Sequence, residues 1–209
     1  MRAFLLALTL LLSSCAWGPV VASRETPATA KGVVLQAKDL AFIQKCPQSD
    51  QWADLMLKGE PEMLPTGFAT WADLKVAGAT DGWMSIYADI VSECPLLFGF
   101  APPKGRLVYT AAIKFKDSSS AASSFASDSQ GFPVAAYFAD RFAAAGGKVT
   151  KGVSTGFGEN STVATISARG VPTYVAFWQT KSFDAVIYAD NLTASEAESA
   201  FTHMNARIH

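Results

Sequence analysis

Between residues 162 and 189 three apolar runs follow one another with almost no chain between them, at 162–168, 173–180 and 183–189. Each alternates in the manner of a strand. The links, Arg169-Gly170 and Lys181-Ser182, are too short for a crossover, so the runs pair as an antiparallel meander. Such a sheet needs cover on its apolar side. The next segment supplies it: Thr193-x-x-Glu196 is a capping box, followed by a stripe of Ala197, Ala200, Phe201, Met204 and Ile208 at helical spacing.

Upstream, the alternation of Leu107, Tyr109, Ala111, Ile113 and Phe115 predicts a further strand. Asp117 or Ser118 then caps a small-residue helix to about Ser127. Pro133 opens another helix, which Gly146-Gly147 stops. Helices are also expected at 37–45 and 49–58. The stretch 83–91 fits both periods, and the helical reading is preferred. Together these elements predict an α+β fold, an antiparallel sheet with a C-terminal three-strand meander packed by helices.

The chain opens Met-Arg, then runs apolar from Ala3 to Leu12, and ends this run at Leu-Ser-Ser-Cys15. This is the layout of an export signal rather than of a folded element. Leu12-Ser13-Ser14-Cys15 resembles the bacterial lipobox, in which cleavage precedes a cysteine carrying diacylglycerol. The resemblance implies a signal over 1–14, acylation of Cys15, a tether over 15–32 and one folded domain over 33–209. It also implies an extracytoplasmic, lipid-anchored protein. In a cell with two membranes, Ala16 fits delivery to the outer membrane facing the periplasm. The alternative is cleavage after Val20-Val21-Ala22, which releases a soluble product from Ser23. Either cut leaves Cys46 and Cys94 as the domain's cysteines, and an even pair in an oxidising compartment predicts a disulfide.

Half of the 209 residues are apolar and only 17% are charged, which argues for a packed core and against disorder. Lys and Arg number 17 against 18 Asp and Glu, with no dense basic run, so nucleic-acid binding has little physical support. The only membrane contact expected is the N-terminal lipid.

Gly152-Val153-Ser154-Thr155-Gly156 satisfies the G-x-S-x-G pattern of serine hydrolases. In those enzymes the serine stands between a strand and a helix, with an acid and a histidine following. Here a second glycine turn and a strand follow, and the histidines are His203 and His209. The pattern reads as a turn-forming glycine loop, and His203 falls on the flank of the last helix, away from Ser154. Over 148–209 the order of glycine loop, antiparallel strands and final helix is similar to the later half of bacterial lipoproteins with PsbP-like α/β sandwiches. That resemblance implies a fold and no activity. No His, Cys, Asp or Glu set has metal-ligand spacing, so neither metal nor cofactor is expected.

The candidate ligand face lies in the meander, where Tyr174 and Trp178 project from one strand and Asp184 and Tyr188 from the next. Aromatic rings beside carboxylates suit a sugar or small molecule; burial of the rings beneath the final helix is the competing reading. The expectation is a non-catalytic, lipid-anchored envelope protein that binds an unknown envelope partner or a small ligand. The alternatives are a serine hydrolase using Ser154 and His203, and a purely structural assembly factor.

Overall fold

Residues 28–41, 43–58, 70–98, 102–127, 133–168 and 170–208 are described by a computed structural model of the chain. Cys15, its flanking signal and most of the expected tether lie outside the described residues.

Among the described residues seven strands form one antiparallel sheet in the order β1-β2-β3-β7-β6-β5-β4. They are β1 (Gln44–Lys45), β2 (Ala79–Ala88), β3 (Leu107–Phe115), β4 (Lys148–Lys151), β5 (Ser161–Ala168), β6 (Val171–Thr180) and β7 (Phe183–Asp190). The meander β5-β6-β7 stands where the spacing places it. Its last strand pairs with β3, joining the two halves of the chain through the centre of the sheet.

Among the described residues six helices accompany the sheet: α1 (Ala30–Val33), α2 (Ser49–Lys58), α3 (Trp71–Val76), α4 (Ser118–Ala126), α5 (Pro133–Ala144) and α6 (Ala194–Asn205). Asp117 caps α4, its carboxylate accepting from Ser120 N, and Thr193 with Glu196 forms the capping box of α6. At the end of α5, Gly146 has φ +82°. A Cβ on Gly147 would lie 2.7 Å from Thr165 O and 2.8 Å from Phe142 O, so only glycine fits between helix and sheet.

The front face carries Val108 and Ala112 of β3, Ala185 and Ile187 of β7, and Ala176 and Trp178 of β6. It is covered by α6, through Ala197, Ala200, Phe201 and Met204, and by the stretch from Ala28 to Leu40. The back face carries Met84, Ile86, Leu107, Val175, Phe177 and Val186. Beneath α2 it meets the Cys46–Cys94 disulfide, whose Cα atoms are 5.9 Å apart, and α4 and α5 continue the cover over the meander. Central strands covered on both faces need apolar residues on both, and β6 and β7 have them over Tyr174–Trp178 and Ala185–Ala189.

Three expectations are corrected. Residues 83–91 are not helical; β2 runs to Ala88 because it is paired by β3 on one side and by β1 on the other. The helix expected at 37–45 is a 3₁₀ turn, Ala37–Asp39, followed by β1. The folded part begins before Val33: Ala28 and Ala30 are buried, and the Ala30 N–H donates to Asp81 Oδ2 at 2.8 Å. Finally, β4 and α3 were not anticipated.

Candidate functional groove

The two-residue turn Lys181-Ser182 pairs Thr180 with Phe183, which fixes every other pair along β6 and β7. Trp178 stands opposite Ala185 and Tyr174 opposite Ala189 on the front face; Gln179 stands opposite Asp184 and Val175 opposite Tyr188 on the back. The four candidate residues therefore divide between two faces and cannot form one ligand face.

Their environments differ as well. Trp178 is fully buried beneath α6, and its Nε1 donates to Asn205 Oδ1 at 3.0 Å. Tyr188 is half-buried on the back, opposite Tyr109 of β3. Burial, then the neighbouring Asp190, holds its phenol protonated above the ordinary range. Asp190 accepts from Thr173 Oγ1 at 2.6 Å, and burial raises its carboxyl despite that bond. Asp184 is 0% exposed and neither of its oxygens has a hydrogen-bond partner. Desolvation pushes its pKa up to about 8; the Ser124 hydroxyl on α4 tempers the shift, though the two groups do not meet in hydrogen-bond geometry.

Tyr174 opens onto a cavity. On the front face α6 covers β6 and β7, while the outer strands β5 and β4 extend beyond it. Thr150 faces forward beside Val163, and Thr165 beside Tyr174. A groove of about 370 Å³ lies between α6 and this outer sheet. Thr150, Val163 and Tyr174 form its floor; Ala197, Glu198, Phe201 and Thr202 of α6 form one wall; Ser154, Thr155, Gly156 and Phe157 form the other. Tyr174 also lines a second hollow of about 240 Å³, bounded by Gly147, Lys148, Thr165, Ser167 and Pro172. Tyr174 is thus the residue that lines both hollows.

The glycine loop is the rigid wall. Its turns place Gly152, Gly156 and Gly158 at φ +68°, +83° and +100°, conformations that side-chain-bearing residues rarely adopt. Phe157 stacks on Trp178 with centroids 5.2 Å apart and meets Phe201 edge-on at 6.1 Å, fastening the loop to the core. Ser161 Oγ lies 2.6 Å from Gly158 O, 3.0 Å from Gly152 O and 2.5 Å from Thr155 Oγ1, tying the loop to the start of β5.

Ser154 and Val153 belong to a 3₁₀ turn, Gly152–Thr155, between two strands, not to a strand-to-helix elbow. Ser154 is exposed and lines the groove; His203 is exposed on α6 and is absent from the lining. No hydrogen bond joins Ser154 to His203 among the described residues. Among those residues no three His, Cys, Asp or Glu side chains converge as a metal site.

Chemically, the groove offers the hydroxyls of Thr150, Ser154, Thr202 and Tyr174, three aromatic rings (Phe157, Tyr174 and Phe201) and one carboxylate at Glu198; the Thr155 hydroxyl is already bonded to Ser161 and to the Phe157 N–H. Sequence reasoning reached Tyr174 and noticed the loop, but missed Thr150, Glu198 and Thr202. The alternation Val149-Thr150-Lys151 is too short to announce a strand. Glu198 and Thr202, four apart on the flank of the α6 stripe, read as solvent positions.

No protein-family model and no curated protein matches the chain. Among solved structures it is similar to the extracellular domain of PknH from Mycobacterium tuberculosis. The identity is 12% and the TM-score 0.42, over 85% of this chain and 94% of that one.

Proposed function

We propose that this is a lipid-anchored envelope protein of non-catalytic role whose domain holds a small polyhydroxylated ligand, a sugar or short glycan, in the groove at Tyr174. The groove carries the reading. A ring flanked by hydroxyls and one carboxylate matches a ligand that has an apolar ring face and many hydroxyl groups around it. Two hollows joined at one aromatic residue suit a ligand longer than a single ring.

The envelope location is supported by the Cys46–Cys94 disulfide, since such bonds persist in oxidising compartments. No helix of the described residues is long and apolar enough to cross a membrane, so attachment would fall to the lipid on Cys15. A hydrolase reading through His203 would need its imidazole beside Ser154, and His203 is not among the residues that line the groove.

A thermal-shift series with mono- to tetrasaccharide fragments of bacterial envelope glycans tests the ligand class. At least one should raise the melting temperature of the wild type and leave Tyr174→Ala unmoved. If no fragment shifts the wild type, or if the shift survives in Tyr174→Ala, the reading is wrong. A fluorophosphonate probe should leave Ser154 unlabelled.

A further inference from the structure

The register of the outer strands puts both hollows on one face of the sheet. Lys148 of β4, Thr165 of β5 and Tyr174 of β6 stand side by side in one row. The row of Thr150, Val163 and Ala176 adjoins it on one side, and Ser167 with Pro172 adjoins it on the other. The first hollow lies over Thr150, Val163 and Tyr174; the second lies over Lys148, Thr165, Ser167 and Tyr174. Two strand spacings, about 10 Å, separate Lys148 from Tyr174.

Among the described residues each hollow has one charged side chain in its lining, and the two are opposite in sign. Glu198 of α6 belongs to the first and Lys148 to the second. Both are exposed, and neither makes an ion pair or a side-chain hydrogen bond among the described residues. The other charges nearby are engaged or turned away. On α6, Glu196 is bound by Arg106 and by its own cap at Thr193, and His203 is outside the lining. Arg207, just past α6, is held by Asp39 and by Val34 O. Lys151 alternates to the back of β4, Glu159 lies beside Gly152 outside the lining, and Asp140 and Arg141 belong to α5 behind the sheet.

We infer that the ligand, whose saccharide nature rests on the function proposed above, is zwitterionic: its ammonium group meets Glu198, its carboxylate meets Lys148 and a sugar ring lies on Tyr174. A ligand that fills both hollows displaces water from both charges. A neutral sugar leaves them without a counter-charge, whereas an ammonium and a carboxylate supply a charge-assisted hydrogen bond to each. The same pair discriminates, because a purely anionic sugar gains nothing at Glu198 and a purely cationic one gains nothing at Lys148. It also sets a direction, with the amino end toward α6 and the acidic end toward the Gly146–Gly147 turn.

Four disaccharides of one size test this by calorimetric titration at low ionic strength and mildly acidic pH. They are glucuronic acid linked to glucosamine (zwitterion), the same pair N-acetylated (anion), chitobiose with free amines (cation) and di-N-acetylchitobiose (neutral). The zwitterion should bind about three-fold or more tighter than either singly charged sugar, and about ten-fold tighter than the neutral one. Glu198→Gln should abolish the preference for the amine and keep that for the acid; Lys148→Gln should do the reverse. Both positions are exposed, so both variants should melt as wild type does. Added salt should shrink the preferences. Equal binding of the neutral and zwitterionic sugars, both lost in Tyr174→Ala, overturns the zwitterion and leaves the glycan reading standing. A zwitterion preference that survives in both charge variants overturns it too. If none of the four binds, or if Tyr174→Ala binds all four as wild type does, the glycan reading falls and the zwitterion with it.

Discussion

Asp184 lies inside the sheet at the point where α4 crosses β7, facing Ile113 of β3, Gln179 of β6 and Ser124 of α4. An unfolded aspartate ionises near 3.8, whereas burial holds this one protonated up to about 8. Between those values the folded chain retains a proton that the unfolded chain has released. The group's contribution to stability therefore declines as pH rises through this window and levels off above about 8. The full span corresponds to about 6 kcal/mol at most. Asp184→Asn removes the titration and keeps the size, so it should match wild type near pH 4 and exceed it by a few kcal/mol near pH 8. Chemical denaturation at both values checks this; parallel pH profiles for the two proteins would refute it. The alternation that puts Asp184 and Tyr188 on one face was legible in the residues. Their separation from Tyr174 and Trp178 was legible too, because a two-residue turn fixes the partners of both strands.

Among the elements, α6 links stability to the site. Its N-terminus is held by Thr193 and Glu196, and Glu196 Oε1 also accepts from Arg106 Nη1 at 2.8 Å, with Asp89 on the same guanidinium. The first turns that this cap organises carry Ala194, Ala197 and Glu198 of the groove wall. Thr193→Ala should cost about 1 kcal/mol and weaken ligand binding without touching a lining residue. A melting curve and a titration read the two effects, and a stable variant with lost binding would contradict the capping account. The disulfide ties the segment after β1 to the 3₁₀ segment Val91–Phe98. Cys46→Ala/Cys94→Ala should lower stability by about 2–4 kcal/mol in denaturant unfolding. The cap, the stripe of α6, the meander and the disulfide pair were all readable, since each is a local pattern or a matter of counting. β2 was not, because Met84, Ile86 and Ala88 satisfy both periods, and pairing with β1 and β3 decides between them. α1, β4 and α3, at four, four and six residues, are too short to show a period.

Over the whole molecule, α4 and α5 pack on the back of the meander, while α6 on the front leaves room beside the outer strands, and the groove lies there. It joins residues near 150–157 to residues near 194–202, two stretches with no common sequence pattern, which is why the site was not legible before the fold. Acid and base limits on stability also emerge at this scale. Asp89 and Glu196 are held below the ordinary range, by the Arg106 guanidinium and by the Thr193 cap respectively, and their contributions disappear as pH falls below about 4. Asp184 acts in the opposite sense, so stability should peak in the mildly acidic range. A clickable fatty acid should label the wild type in cells and not Cys15→Ser; equal labelling, or a mature terminus at Ser23, would remove the anchor. The most direct measurement is a two-dimensional NMR titration of the mature protein with the saccharide selected by thermal shift. The account predicts chemical-shift changes concentrated at Thr150, Ser154, Tyr174, Glu198 and Thr202, whereas changes confined to the back face around Tyr109, Asp184 and Tyr188 would contradict it.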